Sequence, residues 1–226
     1  MADHPDVPVR RPDVLVRRVV SEAGRADALA VLAATYREEK QWVSDAESQF
    51  PATDIGSDDV AWFVAYGAGR ASGVVRILFN PPIAVYARYG LTSLDPANRI
   101  EDFIGRPDLA EVGRFAVVPD RRGQYLVAAA LMRAVTITCL ERKVACLVTD
   151  VFEDDPHSPF GFHTRVLGFR PVATHDVGEL NCKSRRITMV LELAPAYRRL
   201  RRRNHWFYRY VNSALSAALS GQVAAA

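Results

Sequence analysis

Cysteine, methionine and tryptophan are scarce in this chain, with three of each among 226 residues. Cys139, Cys146 and Cys182 form no C-x-x-C pair and no zinc-type spacing, which argues against a disulfide framework and a structural zinc site. Such an unpaired set suits a reduced compartment, with the thiols as small buried side chains. The five histidines show no metal spacing with carboxylates, so no metal is expected. No apolar run of about eighteen residues occurs, so no membrane-spanning helix is expected. Residues 1–13 carry charges and prolines without an apolar core; they read as a flexible lead and not as a secretory signal. No internal repeat, low-complexity block or G-x-S-x-G elbow is present.

Charge of one sign is also scarce: the net value is only +3, too small for bulk charge to suggest nucleic-acid binding. The basic residues gather instead near the C-terminus, at Arg198, Arg199, Arg201, Arg202 and Arg203. With 49% hydrophobic and 24% charged residues, the chain has the balance of a soluble globular protein. Its length allows one large domain, or a domain with an appendage. The expected division is a lead at 1–13, one domain at 14–195 and a basic amphipathic helical tail at 196–226, in a cytoplasmic protein.

Val14–Val20 reads as a first strand. Asp27–Glu39 reads as a helix, with Leu29, Leu32, Ala33 and Tyr36 at helical spacing and Asp27 as its N-cap or first-turn acid. Gln41–Asp59 is a long polar loop, of the kind that carries function. Ala61–Tyr66 and Ser72–Phe79, joined across Gly67-Ala68-Gly69-Arg70, form a hairpin that Pro81 and Pro82 end. Residues 83–108 are a mixed, partly helical insertion.

Glu111–Val118 is a strand that Pro119 stops, and Tyr125–Glu141 is a helix rich in alanine and leucine. Ala145–Phe152 follows as a buried-type strand. This strand–helix–strand order implies a right-handed crossover between parallel neighbours. A short helix at Phe160–Val166 ends at Gly168. Phe169–Ala173 and Arg186–Leu193 close the sheet as an antiparallel pair. The fold class is therefore α/β, one mixed, mostly antiparallel central sheet with flanking helices.

Val118-Pro119-Asp120-Arg121-Arg122-Gly123 joins a strand to a helix through a basic glycine turn, and resembles motif A of the GNAT superfamily of N-acetyltransferases. Turn amides and a helix N-terminus pointing at one spot favour a phosphate there. Phe162-His163-Thr164-Arg165-Val166-Leu167-Gly168-Phe169 resembles that superfamily's late signature. Over about Tyr36 to Leu193, a longer series looks like the autoinducer (acyl-homoserine-lactone) synthases and the long-chain N-acyl amino acid synthases. It comprises Tyr36-Arg37, Trp42, the loop with Asp54 and Asp59, Gly73-Val74-Val75-Arg76, and Glu111-Val112-Gly113-Arg114-Phe115-Ala116-Val117. The stretch from His157 to Phe169 is more similar to the amino acid synthases.

The resemblance implies an acyltransferase moving a long acyl group from a carrier-protein or coenzyme A thioester to the amine of an amino acid or similar small acceptor. No cofactor is held tightly; the phosphopantetheine thioester is a substrate. Glu111 and Arg114 are implied at the reaction centre, with the Val117 amide as oxyanion donor. Val118, Arg121, Arg122, Gly123, Gln124 and Tyr125 are implied for the donor. Tyr36, Arg37, Trp42, Arg76, Phe115, His157 and Phe162 are implied for the acceptor or acyl chain. Tyr125 and Val127 replace the small residues usual in that turn; crowding a pyrophosphate, they favour acyl carrier protein over coenzyme A.

From the residues alone, Glu111 is either a general base or a salt-bridge partner. The i, i+3 spacing puts Glu111 and Arg114 on opposite faces of a regular strand, and a bulge would bring them together. His163 is a candidate to protonate the leaving thiol, or a packing histidine. The apolar residues of 83–103 are candidates to line an acyl tunnel. The tail, with Leu200, Phe207, Val211, Leu215 and Ala218 at helical intervals, packs on the domain, lies on a membrane surface or docks an acidic carrier protein. The rival readings are an acyl-homoserine-lactone synthase using S-adenosylmethionine, an acetyl-CoA-dependent N-acetyltransferase, and a catalytically silent GNAT-like binding module.

Overall fold

The computed structural model describes residues 14–81, 86, 88–96, 99–103, 106–123 and 125–215. Eight strands form one sheet: β1 (Leu15–Arg18), β2 (Val60–Gly67), β3 (Arg70–Phe79), β4 (Thr92–Ser93), β5 (Leu109–Val117), β6 (Cys146–Phe152), β7 (Arg170–His175) and β8 (Arg186–Glu192). Their order across the sheet is β1-β2-β3-β5-β6-β8-β7-β4. Every pair is antiparallel except β5 with β6. The helix α2 (Leu126–Glu141) makes the crossover between those two.

The sheet is covered on both faces, so its strands are nearly continuous apolar runs. Ala61, Phe63 and Ala65 of β2 pack with Leu131, Met132 and Val135 of α2. The alternate residues Trp62 and Val64 face the other side, with Val31 and Leu32 of α1 (Glu22–Leu32) and with Phe50. Trp62 stacks on Phe50 with centroids 4.1 Å apart, and its Nε1 donates to Asp54 at 2.8 Å. Burying each ring stabilises the fold by roughly 1.5–3 kcal/mol, and this pair draws the polar 41–59 segment onto the sheet.

The first helix differs from its sequence reading. It begins earlier, where Ser21 caps it by accepting from Gly24 N–H at 3.3 Å. Asp27 accepts instead from the Tyr66 hydroxyl at 2.7 Å. From Ala33 to Glu39 the helix widens into a π-helix, which rotates Tyr36 away from the regular 3.6-residue register. A second π-helix spans Phe162–Leu167 and ends at Gly168, whose φ is 92°.

The tail is two short helices, α3 (Leu193–Arg202) and α4 (Trp206–Asn212), where the sequence suggests a single helical tail at 196–226. His205 starts the second, its Nδ1 accepting from Phe207 N–H at 3.2 Å. Leu200, Phe207 and Val211 are buried in the α2-side core; Ala218 and Leu219 lie outside the described residues. Of the 83–103 residues, Ile100 and Phe103 pack with Leu109 and Val148. They stand apart from the cavity described below, which among the described residues of that segment only Tyr86 and Tyr89 reach. Among the described residues no helix is long and apolar enough to cross a membrane.

Candidate functional site

β5 and β6 are paired only at Leu109–Cys146, Ala110–Leu147 and Glu111–Val148. Beyond Glu111 they part, and a cavity of about 510 Å³ opens between them. Glu111 lies at the apex of this opening. Its carboxylate accepts from Arg76 Nη2 of β3 at 2.8 Å. Burial pushes the Glu111 carboxyl above its ordinary range; the Arg76 charge opposes this and Asp150 on β6 reinforces it.

Three residues further, β5 bulges. Val74 pairs with Ala116 but Arg76 with Gly113, so two residues of β3 span three of β5. Arg114 takes φ 51° there, a left-handed backbone rare outside glycine. The bulge turns Arg114 to the cavity wall that also holds Glu111. The two do not pair: Arg114 Nη2 donates to Glu179 at 2.6 Å.

After the bulge, Val118 N–H donates to Ser72 O of β3 at 3.0 Å. Backbone groups alternate in direction along a strand, so Val117 turns its N–H and C=O to the gap on the β6 side. The Val117 carbonyl is taken there by Arg122 Nε at 2.8 Å.

Of the residues singled out in the sequence, the cavity wall contains Tyr36, Trp42, Arg76, Glu111, Arg114, Phe115, Val117, Arg121, Arg122, Gly123, Tyr125, His157 and Phe162. It does not contain Arg37, which pairs with Glu38 at 2.6 Å and lines an adjoining shallow hollow that shares Trp42 and Glu179 with the cavity. Val118 is also outside it, packed against the α1-side core. Gln124 lies outside the described residues.

In the turn before α2, Arg122 is engaged twice, by Val117 O and by Glu39 at 2.6 Å. Arg121 is held less closely: its Nε makes no hydrogen bond and lies 3.9 Å from Asp120 Oδ2. Tyr125, at φ 51°, stacks on Phe162 with centroids 5.7 Å apart and remains 57% exposed, above the turn. Val127 faces the opposite way, into the core against Gly73. Crowding of a pyrophosphate there thus rests on Tyr125 alone.

His163 is wholly buried among Phe115, Phe162 and Phe169. Its Nδ1 lies 3.0 Å from Pro159 O. A carbonyl can only accept, so Nδ1 carries the proton and Nε2 is a bare, unpartnered acceptor. Burial pushes the imidazole down to about 4. A neutral ring in this tautomer has no proton on Nε2 to give a leaving thiol, which favours the packing reading of His163.

Sequence reasoning missed much of the polar wall. Lys40 pairs with Asp155, and Glu179 meets Arg114. Asp150 accepts from Thr188 at 2.7 Å and lies 3.2 Å from His175 Nε2. Tyr89 stacks on His175 at 5.1 Å, and burial pushes its phenol up to about 12. Buried Arg186 is held by carbonyls of the loop before it. Asp150 was detectable as a polar interruption of an apolar strand; a loop glutamate such as Glu179 has no such pattern. Among the described residues no His, Cys, Asp and Glu cluster could hold a metal.

The arrangement is a cleft at a splayed parallel pair, with the basic turn of Arg121, Arg122 and Gly123 at one end and a partly buried carboxyl at its apex. FeeM, an N-acyl amino acid synthase from uncultured soil microbes, superposes with a TM-score of 0.63 at 20% identity, over 84% of this chain and 95% of that one. A probable acetyltransferase from Staphylococcus epidermidis gives 0.57 at 9% identity, over 80% and 99%. The PaiA N-acetyltransferase of Thermoplasma acidophilum, solved with coenzyme A, gives 0.54 at 11%, over 80% and 99%. This is the GNAT fold. No family model matches the chain, and no curated protein matches it.

Proposed function

We propose that the protein is an N-acyltransferase that moves a long acyl group from an acyl-carrier-protein or coenzyme A thioester to the amine of an amino acid or similar small acceptor. The observation that carries this reading is Glu111, a partly buried carboxyl of raised proton affinity where β5 and β6 part. A thioester is attacked by a neutral amine, and at neutral pH the free amine is mostly ammonium. The ammonium first loses one proton to solvent; as the N–C bond forms, Glu111, directly or through one water, takes a second proton from the attacking nitrogen. The Val117 N–H meets the developing oxyanion. As the C–S bond breaks, its electron pair leaves on sulfur, and the proton on Glu111 passes to the thiolate through solvent.

Arg121 and the turn amides before α2 bind the pantetheine phosphate; Arg122 joins them only by giving up Glu39. Phe115 and Phe162 flank the thioester end, while Tyr36 and Trp42, 5.2 Å apart, bracket the acceptor. Two features favour a carrier-protein donor. Tyr125 stands over the turn, and residues 193–226 contain no Asp or Glu, with Arg201, Arg202, Arg203 and Arg209 exposed. An acidic carrier meets charge complementarity there. The likeness to FeeM supports the acyl and acceptor classes, and the fold it shares with acetyltransferases supports thioester aminolysis as the reaction.

The test is mass analysis of products from purified protein given dodecanoyl-carrier protein or dodecanoyl-CoA with a mixture of amino acids. N-dodecanoyl amino acids that disappear in Glu111→Gln are expected. Turnover of acetyl-CoA alone, or product formation only with S-adenosylmethionine, would replace this reading by one of its rivals. No product with any donor, from folded protein, would leave a binding module.

A further inference from the structure

The Arg114–Glu179 pair is placed oddly for a structural salt bridge. Arg114 has only 12% of its side chain exposed and is carried into the cavity by a strained bulge. Its Nε is buried and has no hydrogen bond. Glu179 comes from the irregular segment between β7 and β8, and its side chain is 56% exposed. A buried cation at the wall of a reaction cavity is thus satisfied by a carboxylate reaching in from a surface loop.

That loop is fastened over the same opening. Asn181 N–H donates to Trp42 O at 2.9 Å. Arg186, only 4% exposed, donates to Asp176 O at 2.8 Å and Leu180 O at 2.7 Å. Burial raises the Glu179 carboxyl, but the hydrogen bond and charge of Arg114 outweigh it and hold the group below its ordinary range. Glu179 is therefore an ionised carboxylate, bonded to an arginine, a short way along β5 from the proposed general base.

An α-amino acid carries its amine and its carboxylate one carbon apart. We propose that Arg114 is the binding site for the acceptor's carboxylate and that Glu179 is its internal occupant, displaced when an acceptor with a free carboxylate enters. The exchange trades one carboxylate for another on the same guanidinium, so the buried charge is never left unpaired. An amine lacking a carboxylate cannot make the exchange and meets a closed Arg114–Glu179 pair. Selection for carboxylated acceptors then follows from the wall of the cavity. Displacing Glu179 also frees one of the ties of the 176–185 loop. This inference rests on the acyl-transfer reading for its chemistry, but its test needs no turnover.

The probes are N-dodecanoylglycine and its uncharged amide, N-dodecanoylglycinamide, with binding followed by quenching of tryptophan fluorescence, Trp42 being in the cavity wall. Wild type is expected to bind the acid about tenfold more tightly than the amide. Glu179→Gln removes the internal competitor; it tightens acid binding several-fold and leaves the amide unchanged. Arg114→Gln abolishes the preference. Equal affinity for the two probes in wild type would overturn the proposal, as would acid binding indifferent to Glu179→Gln. The Glu179 variant alters an exposed loop side chain, so the test stands even if Arg114→Gln does not fold. Acid preference in a protein that transfers no acyl group would sink the acyl-transfer reading alone. Acyl transfer to acids and amines alike would sink this inference alone.

Discussion

Arg76 and Glu111 meet at 2.8 Å directly over Gly113. A methyl group on Gly113 would lie 2.9 Å from Glu111 Oε1 and 3.3 Å from Arg76 Nη2. The glycine of the E-x-x-R strand thus has a local reason: any side chain there occupies the volume where carboxylate and guanidinium touch. Gly113→Ala is expected to displace the ends of two flexible side chains and leave the backbone intact. The fold should lose less than about 1 kcal/mol, while kcat falls at least about tenfold through misplacement of the base. Parallel thermal melts and steady-state rates check this. A stable variant of full activity would show that the Arg76–Glu111 geometry does not matter to the reaction.

The proton affinity of Glu111 gives a pH signature. A base must be ionised to work, so activity falls as pH drops through its pKa. Burial raises that pKa, so the acid limb of kcat should lie above the ordinary glutamate value of about 4.3. Arg76 acts in the opposite direction. Arg76→Met removes the opposing charge, and the limb should move further up in pH. Profiles of kcat against pH for both proteins decide it; a downward shift would mean that Arg76 and Glu111 are not coupled in the working enzyme.

Much of this arrangement was legible in sequence. The hairpin of β2 and β3, the crossover helix α2 and the parallel β5–β6 pair follow from apolar runs, the turn glycines and Pro119. The need for a bulge to bring Glu111 and Arg114 to one wall was readable from their spacing; their actual partners were not. Arg76 reaches Glu111 across strands and Glu179 reaches Arg114 from 65 residues away, and neither contact leaves a periodic mark. The π-helices at Ala33–Glu39 and Phe162–Leu167 were equally hidden. One residue inserted into a helical ladder changes which side chains share a face without changing composition. The break in the tail is a third case, since arginines at 201–203 and His205 fit either one helix or two, and the His205 cap decides.

The exposed arginines of α3 and α4 give a donor-specific prediction. Arg202→Glu combined with Arg203→Glu should raise KM for dodecanoyl-carrier protein about tenfold and leave KM for dodecanoyl-CoA unchanged, because only the former brings an acidic protein surface. Added salt should imitate the change in wild type and have little effect on the variant. Steady-state kinetics with both donors at two salt concentrations make the comparison. Equal loss for the two donors would mean that the substitutions disturb the domain, and no loss would remove the tail from donor docking.

His163 links the cavity to acid stability. Its ring is buried, neutral and held by Pro159 O, with the pKa pushed from 6.5 down to about 4. Between those values the unfolded chain binds a proton that the folded chain refuses. The stability difference therefore shrinks as pH falls from about 6.5 and is fully lost near 4, a change of about 3 kcal/mol by proton linkage. Asparagine at this position can still donate to the Pro159 carbonyl but does not titrate. His163→Asn should be less stable at neutral pH, because it leaves space among Phe115, Phe162 and Phe169. It should nevertheless lose about 3 kcal/mol less than wild type between pH 6.5 and 4. Urea titrations at the two pH values measure this difference directly. Equal acid sensitivity in the two proteins would mean that His163 is protonated in the fold and that its Nε2 is not the bare acceptor the hydrogen bond to Pro159 implies.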